Sequence, residues 1–217
     1  TDYQDEIFGR TGLQKQYNAS VNGGSKEIKF NIGFSHTDEE SIMLGSGYAK
    51  NNINAKINAK LNKWLTFDFN ARLGFTKLDG LSGGADTNES NAANSIVANT
   101  VAYGPVETLT SNGDEDEENS TSTRRTPLQR ITSTYKYQER FQQNYNAGLN
   151  WKPIKNFTFR TEFGYGWRYN NTDQVWGSDA TTNSKYGYNG MPQAQFVKVN
   201  QRDWRNANTL TYANDKL

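Results

Sequence analysis

Few residues in this chain have the type and spacing to do chemistry. The acidic run Asp114–Glu118 could offer hard oxygen ligands to Ca²⁺ through Asp114, Asp116 and Glu118. Its spacing fits no EF-hand loop, and a charge run of this kind is ordinarily a solvated surface. His36 is the sole histidine and cysteine is absent, so no zinc site, thiolate nucleophile or catalytic triad is defined. Paired carboxylates for glycoside hydrolysis would have to converge on one pocket, and no spacing here brings two acids together. Binding is the chemistry these residue types support. Trp176, Tyr186 and Tyr188 offer flat faces that stack on sugar rings or pack on a partner, although such rings as often fold a loop onto itself. Asn54, Asn70, Arg72, Arg160, Glu162 and Arg168 offer charge and hydrogen bonds to a solute, or simply pair across neighbouring strands. The expectation is a protein that is not an enzyme, with no catalytic residue, no resident metal and no cofactor.

These side chains are positioned by strands. In Leu61–Thr76, Leu65, Phe67, Phe69, Ala71, Leu73 and Phe75 alternate with Thr66, Asp68, Asn70, Arg72, Gly74 and Thr76. Period two over a dozen residues is an extended strand with one apolar and one polar face. A strand that is apolar outside and wet inside suits a membrane-spanning β-barrel.

Composition agrees. Only 34% of the 217 residues are hydrophobic and mean hydropathy is −0.92, yet 13% are aromatic. That is too few aliphatics for a soluble core of this size and too many aromatics for a disordered chain. Barrels with a polar lumen and aromatic girdles have this balance. A net charge of +1 gives no reason to expect a nucleic-acid partner. No apolar run approaches the ~20 residues of a membrane helix. The opening TDYQDEIFGR has neither the charged nor the apolar region of a signal peptide, so an internal piece of a longer exported chain is expected.

Alternation marks strands at Leu13–Gly23, Ile28–Thr37, Ile53–Leu61, Leu65–Thr76, Phe141–Trp151 and Phe157–Tyr169, with a weaker seventh at Val197–Ala213. Lys15 falls on the apolar side of the first and must lie near a border. Short turns at Gly23–Ser25, Asn62–Trp64 and Lys152–Lys155 alternate with longer connections at His36–Lys50, about 77–137 and Asn170–Gln195. Ser95–Tyr103 could be a short helix in the longest. Short periplasmic turns alternating with long extracellular loops are the rule in outer-membrane barrels. Twelve steps from Phe157 to Tyr169, at ~3.3 Å each and a tilt near 45°, project to roughly 28 Å, enough for an apolar band about 25 Å tall. Trp64, Trp151 and Phe157 would then border the short-turn side, and Trp167 and Tyr169 the other. Seven strands cannot close such a barrel, which needs an even number from eight upward.

Thr1–Gly12 (TDYQDEIFGRTG), Ser20–Ser25 (SVNGGS), Lys29–Asn31, Thr37–Ile42 and Lys63–Phe67 together resemble the segment after the plug in SusC/RagA-type TonB-dependent transporters. The resemblance is specific over residues 1–75 and rests on strand pattern beyond. It implies an all-β, antiparallel transmembrane barrel of about 22 strands, of which 1–217 is a partial barrel domain without the plug. It implies the Gram-negative outer membrane, contact with membrane lipid, and TonB-dependent import of a glycan or oligopeptide. The implied partners are a SusD-like surface lipoprotein and TonB acting through the plug. Asn54, Asn70, Arg72, Arg160, Glu162 and Arg168 should face the lumen. A passive porin or a structural or adhesive barrel is the alternative, and a soluble carbohydrate-binding β-sandwich a third.

Overall fold

The structure is a computed structural model that describes residues 2–80, 100–101, 126–178 and 191–213. Seven strands form one antiparallel sheet in chain order: β1 (Leu13–Gly24), β2 (Ile28–Glu40), β3 (Gly47–Lys60), β4 (Leu65–Gly80), β5 (Thr134–Trp151), β6 (Phe157–Trp176) and β7 (Gln193–Tyr212). The sheet is open, with β1 and β7 as its edges. Two short helices, α1 (Tyr3–Phe8) and α2 (Pro127–Thr132), sit at the end of the sheet that carries the longer connections. No helix among the described residues is long and apolar enough to cross a membrane.

All six pairings run one to one, without a bulge. Directly paired residues share a face, so each row of the sheet has one character. Phe67 pairs with Ala59 and Leu149, and Phe69 with Ile57 and Ala147. Asn70 pairs with Lys56 and Asn146, on the opposite face. Phe159 and Phe163 fall on the face of Phe67, and Arg160 on that of Asn70. The apolar side chains are not gathered into a closed interior. Among the described residues only Ile7, Ala71 and Ile131 are buried hydrophobics, and Phe163 is 48% exposed.

The apolar face is bounded along the strands. At the short-turn end, the Phe157 and Tyr212 rings lie 4.9 Å apart. Its last apolar row holds Phe75, Phe141 and Tyr169. Phe141 meets Phe75 and Trp167 edge-on at 6.4 and 5.7 Å. The next row is Lys77, Glu139 and Asn171, with a Lys77–Glu139 ion pair at 4.0 Å, and the one after is Asp79, Tyr137 and Asp173. The expected belts of Trp151 and Phe157 below and Trp167 and Tyr169 above fall on this face in that order. Lys15 pairs with Asp38, two steps from the strand end, where a charge is tolerated.

Strands outrun the alternation that predicted them. β6 continues to Trp176, β5 starts at Thr134 and β7 at Gln193. The link between β2 and β3 is only residues 41–46, not His36–Lys50, and the connection expected at about 77–137 narrows to 81–133, α2 included. Hydropathy stops alternating where the apolar band stops, but the backbone ladder continues. Twenty residues of β6 at ~3.3 Å and 45° project to roughly 45 Å, well beyond a 25 Å band. His36 therefore lies within β2 rather than at its end, half-buried and stacked on Tyr17 at 6.0 Å, with Nδ1 2.7 Å from Asn51 Oδ1. β7 is a full-length strand that interrupts the apolar face with Asn206 and Asn208; Asn206 donates to the Glu162 carbonyl and Asn208 to Asn206 Oδ1. Of the helix expected over Ser95–Tyr103, only Thr100 and Val101 are described, and both are helical.

Local chemistry sets the turns. The Ser25 hydroxyl accepts from the Glu27 and Ile28 amides, and Asn62 Oδ1 from the Trp64 amide. Asn156, at φ 70°, closes the β5–β6 turn in the left-handed region, which asparagine enters more readily than other side-chain-bearing residues. Replacing it should follow backbone cost alone. Asn156→Gly should leave the urea midpoint of the parent protein nearly unchanged, while Asn156→Val should cost about 1–2 kcal/mol.

Candidate functional site

The polar face is the candidate surface, because it gathers most of the basic residues of the strands. β2 and β3 place Lys29, Lys50, Lys56 and Lys60 on it, and β4–β7 add Arg72, Lys136, Arg140, Arg160, Arg168 and Arg205. Its carboxylates are Glu39, Asp68, Glu162 and Asp203. Ten cations against four acids is a marked bias in a chain whose totals are 24 and 23.

One arginine is fully compensated. Arg160 on β6 reaches across β5 to Asp68 on β4, with Nη1 donating to Oδ1 at 2.9 Å and Nη2 to Oδ2 at 3.2 Å. It also donates to Asn150 Oδ1 at 2.8 Å and pairs with Glu162, while Asn150 donates to Asp68. The contact exists because the strand between ends its row in glycine. A Cβ at Gly148 would stand 2.5 Å from Asp68 Oδ2 and 2.9 Å from Arg160 Nη2. Arg160 is 34% exposed, so solvent screens the pair and its value lies in fixing β4 to β6 more than in net stability. Side chains also lie over glycines higher up, Arg205 over Gly164 and Asp203 over Gly166.

Arg72 and Arg168 differ. Arg72 pairs in register with Asn54 and Asn144, and Arg168 with Gln142 and Gln201. Neither has an ion pair among the described residues. Arg140, on the strand between theirs and one row beyond Arg168, donates to Gln138 Oε1 at 2.8 Å. Asn54 also borders a hollow of about 260 Å³ above Gly33, edged by Asn18, Ser20 and Ser35. Asn70 sits in the row between Lys56 and Asn146.

Sequence reasoning placed Asn54, Asn70, Arg72, Arg160, Glu162 and Arg168 on one face, and they share it. It missed Asp68 as the partner of Arg160, which alternation puts on the right face but only register can join across β5. It also missed Asp203 and Arg205, hidden in the strand whose pattern was weakest. Trp176 is the last residue of β6, opposite Thr134 and Gln193. Tyr186 and Tyr188, and the calcium candidates Asp114, Asp116 and Glu118, lie outside the described residues. Among the described residues no three metal-capable side chains cluster. Above the apolar band, the Tyr137 hydroxyl donates to Glu139 at 2.5 Å; that bond first, then burial and the charges of Glu139 and Asp79, push the phenol up to about 12.

The chain is similar to a TonB-dependent receptor of Formosa agariphila, at 26% identity over 173 residues, which is 80% of this chain and 16% of the relative. It therefore spans about a sixth of the length of that curated relative. Its fold matches the RagAB peptide transporter with a TM-score of 0.68, at 18% identity over 97% of this chain and 23% of the other. It also matches the RagAB peptide importer in the open-open state, at 0.69 and 18%, again over 97% of this chain and 23% of that one. In the closed-closed state the TM-score is 0.61 at 15% identity, over 100% of this chain and 27% of the other. No family model matches. The likeness in fold thus takes in the seven-stranded sheet, and the proteins that this chain resembles are named as a TonB-dependent receptor and a peptide transporter.

The Gly148 contact predicts a coupled pair of variants. Gly148→Val should separate Asp68 from Arg160 and cost about 1–3 kcal/mol in urea unfolding of the parent protein. Combined with Asp68→Asn the costs should fall short of additive, because both remove one interaction.

Proposed function

We propose that this chain is a length of barrel wall from a SusC/RagA-type TonB-dependent importer in a Gram-negative outer membrane. On this reading residues 1–217 are a partial barrel domain with the apolar face against lipid and the polar face against the lumen. The turns at 25–27, 61–64 and 152–156 lie in the periplasm, and the connections at 41–46, 81–133 and 177–192 face outside. Asn54, Asn70, Arg72, Arg160, Glu162 and Arg168 line the lumen. Trp176, Tyr186 and Tyr188 belong to the outer rim, where solute or a capping lipoprotein of SusD type would be met. The cargo is an oligopeptide or glycan nutrient, and energy coupling through TonB is assigned to no residue of this sequence.

The single observation that carries this reading is the bounded apolar face. It runs unslipped across β1–β6 for roughly 28 Å by strand geometry and ends in a row of charge at Lys77 and Glu139, while β7 breaks it with Asn208, Asn206 and Arg202. A soluble sandwich would bury Phe67, Phe69 and Phe163 against a second layer, and Phe163 is 48% exposed. A passive porin would share the wall but not the coupling.

These 217 residues hold no cysteine, so single cysteines introduced into them, in a parent protein freed of any other, test sidedness. In the parent protein in its own membrane, a nitroxide carried at Phe69→Cys or Phe163→Cys should be relaxed by dissolved oxygen and not by a water-soluble nickel chelate, and one at Asn70→Cys should show the reverse. The inverse pattern of relaxation would overturn the membrane assignment. Uptake that persists in cells lacking TonB would favour the porin. Phe69→Lys, near mid-band, should destabilise the barrel by roughly 2–4 kcal/mol in lipid, read from its unfolding midpoint.

A further inference from the structure

We propose that the polar face selects anionic solute, through a cluster of Arg72, Arg140 and Arg168 that takes carboxylate groups. The inference rests on the reading of that face as a solute path and adds the charge of the cargo.

Register brings the three together. Arg72 on β4 shares a row with Asn144 and Gly166, and Arg168 on β6 shares the next row with Gln142 and Gly74. Arg140 precedes Gln142 by two residues in β5, on the same face. At ~4.8 Å between strands and ~6.8 Å between successive rows of one face, the Cα atoms of Arg72 and Arg168 lie about 12 Å apart, and that of Arg140, one row further on, lies about 8 Å from Arg168 and about 14 Å from Arg72. The floor between them is low. A Cβ at Gly74 would meet nothing nearer than 3.4 Å, and the intervening Gln142 and Asn144 are neutral.

The contrast with Arg160 is the core of the argument. Arg160 holds two carboxylates, Asp68 and Glu162. Arg72, Arg140 and Arg168 hold none among the described residues. Asp203, the nearest carboxylate in register, lies over Gly166 with its Oδ2 2.7 Å from where a Cβ would stand, and bonds to none of the three. Three forked cations without a carboxylate among the described residues, on a face with ten cations to four acids, make a site for a planar anion, which guanidinium binds through two parallel hydrogen bonds. A wall that is apolar behind and cationic in front also concentrates anions along its length. Asn54, paired with Arg72, joins the cluster to the hollow above Gly33, where amides and hydroxyls of Asn18, Ser20 and Ser35 can receive the neutral part of the same oligomer.

The test is competition between matched solutes in cells carrying the whole transporter. Triglutamate is set against triglutamine, and trigalacturonate against its methyl ester, so that either backbone can report. The acidic member of the accepted pair should enter at least about tenfold faster at low salt, and the advantage should shrink as salt is raised to 0.5 M. R72Q/R140Q/R168Q should abolish the preference while neutral uptake persists, and the triple lysine variant should restore part of it. Equal uptake of acidic and neutral members, a preference indifferent to salt, or a preference that survives the glutamine variant would overturn the proposal. Loss of neutral uptake in a barrel that still migrates as folded would also overturn it, since the arginines would then be holding the wall. If no member of either pair enters in a TonB-dependent manner, the import reading itself fails, a separate result.

Discussion

Unslipped register is the constraint on which every other property of this sheet depends. Side chains alternate with a period of two, so a one-residue slip in any of the six pairings would send the rings of one strand to the polar face and its charges to the apolar one. Each pairing here is continuous from end to end. In hydrocarbon an unpaired backbone amide or carbonyl costs several kcal/mol, so the ladder is both the fold and the condition of its solvent. The short turns act as register pins, each closed by a local side-chain contact or a left-handed residue.

Glycine is distributed with the same logic. Gly33, Gly74, Gly148, Gly164 and Gly166 all stand on the polar face. Long polar side chains from the neighbouring strands lie down over several of them, as Asp68 and Arg160 do at Gly148 and Arg205 at Gly164. Glycine thus does on the polar side what ring stacking does on the apolar one. There, Phe69, Tyr145 and Tyr165 stack across three strands at 6.5 and 6.4 Å. Each side settles its own lateral contacts, and the backbone ladder between them stays continuous.

Sidedness and strand order were legible because alternation is a local property, visible in Leu65–Phe75 and Phe157–Tyr169 without knowing any neighbour. Strand ends were not. Above Phe75 and Tyr169 both faces turn polar, so the period-two signal vanishes while hydrogen bonding does not, and His36 was consequently read as the start of a loop. β7 was hard to read for a related reason: Asn206 and Asn208 stand where the pattern demands apolar residues, and they bond to each other and to a neighbouring carbonyl instead. The Asp68–Arg160 bridge was illegible because its members are 92 positions apart and meet only across a third strand. α1 and α2 were missed, as each is a six-residue helix too short for any periodic signal, although Asp2 and the Thr126–Gln129 capping box are recognisable starts in retrospect.

Those two helices have a geometric consequence. α1 leads into β1 and α2 into β5, four strands further round the sheet, yet Ile7 and Ile131 pack together in one small apolar cluster with Phe8, Met43 and Leu44. The Leu44 amide donates to the Ile7 carbonyl, tying in the β2–β3 link as well. Four strand spacings amount to about 19 Å of arc. A contact that closes over such an arc is a chord, and a chord of fixed length sets the curvature beneath it. Anything that loosened the Ile7–Ile131 contact would free this rim of the sheet to flatten, while the short-turn end kept its own pins.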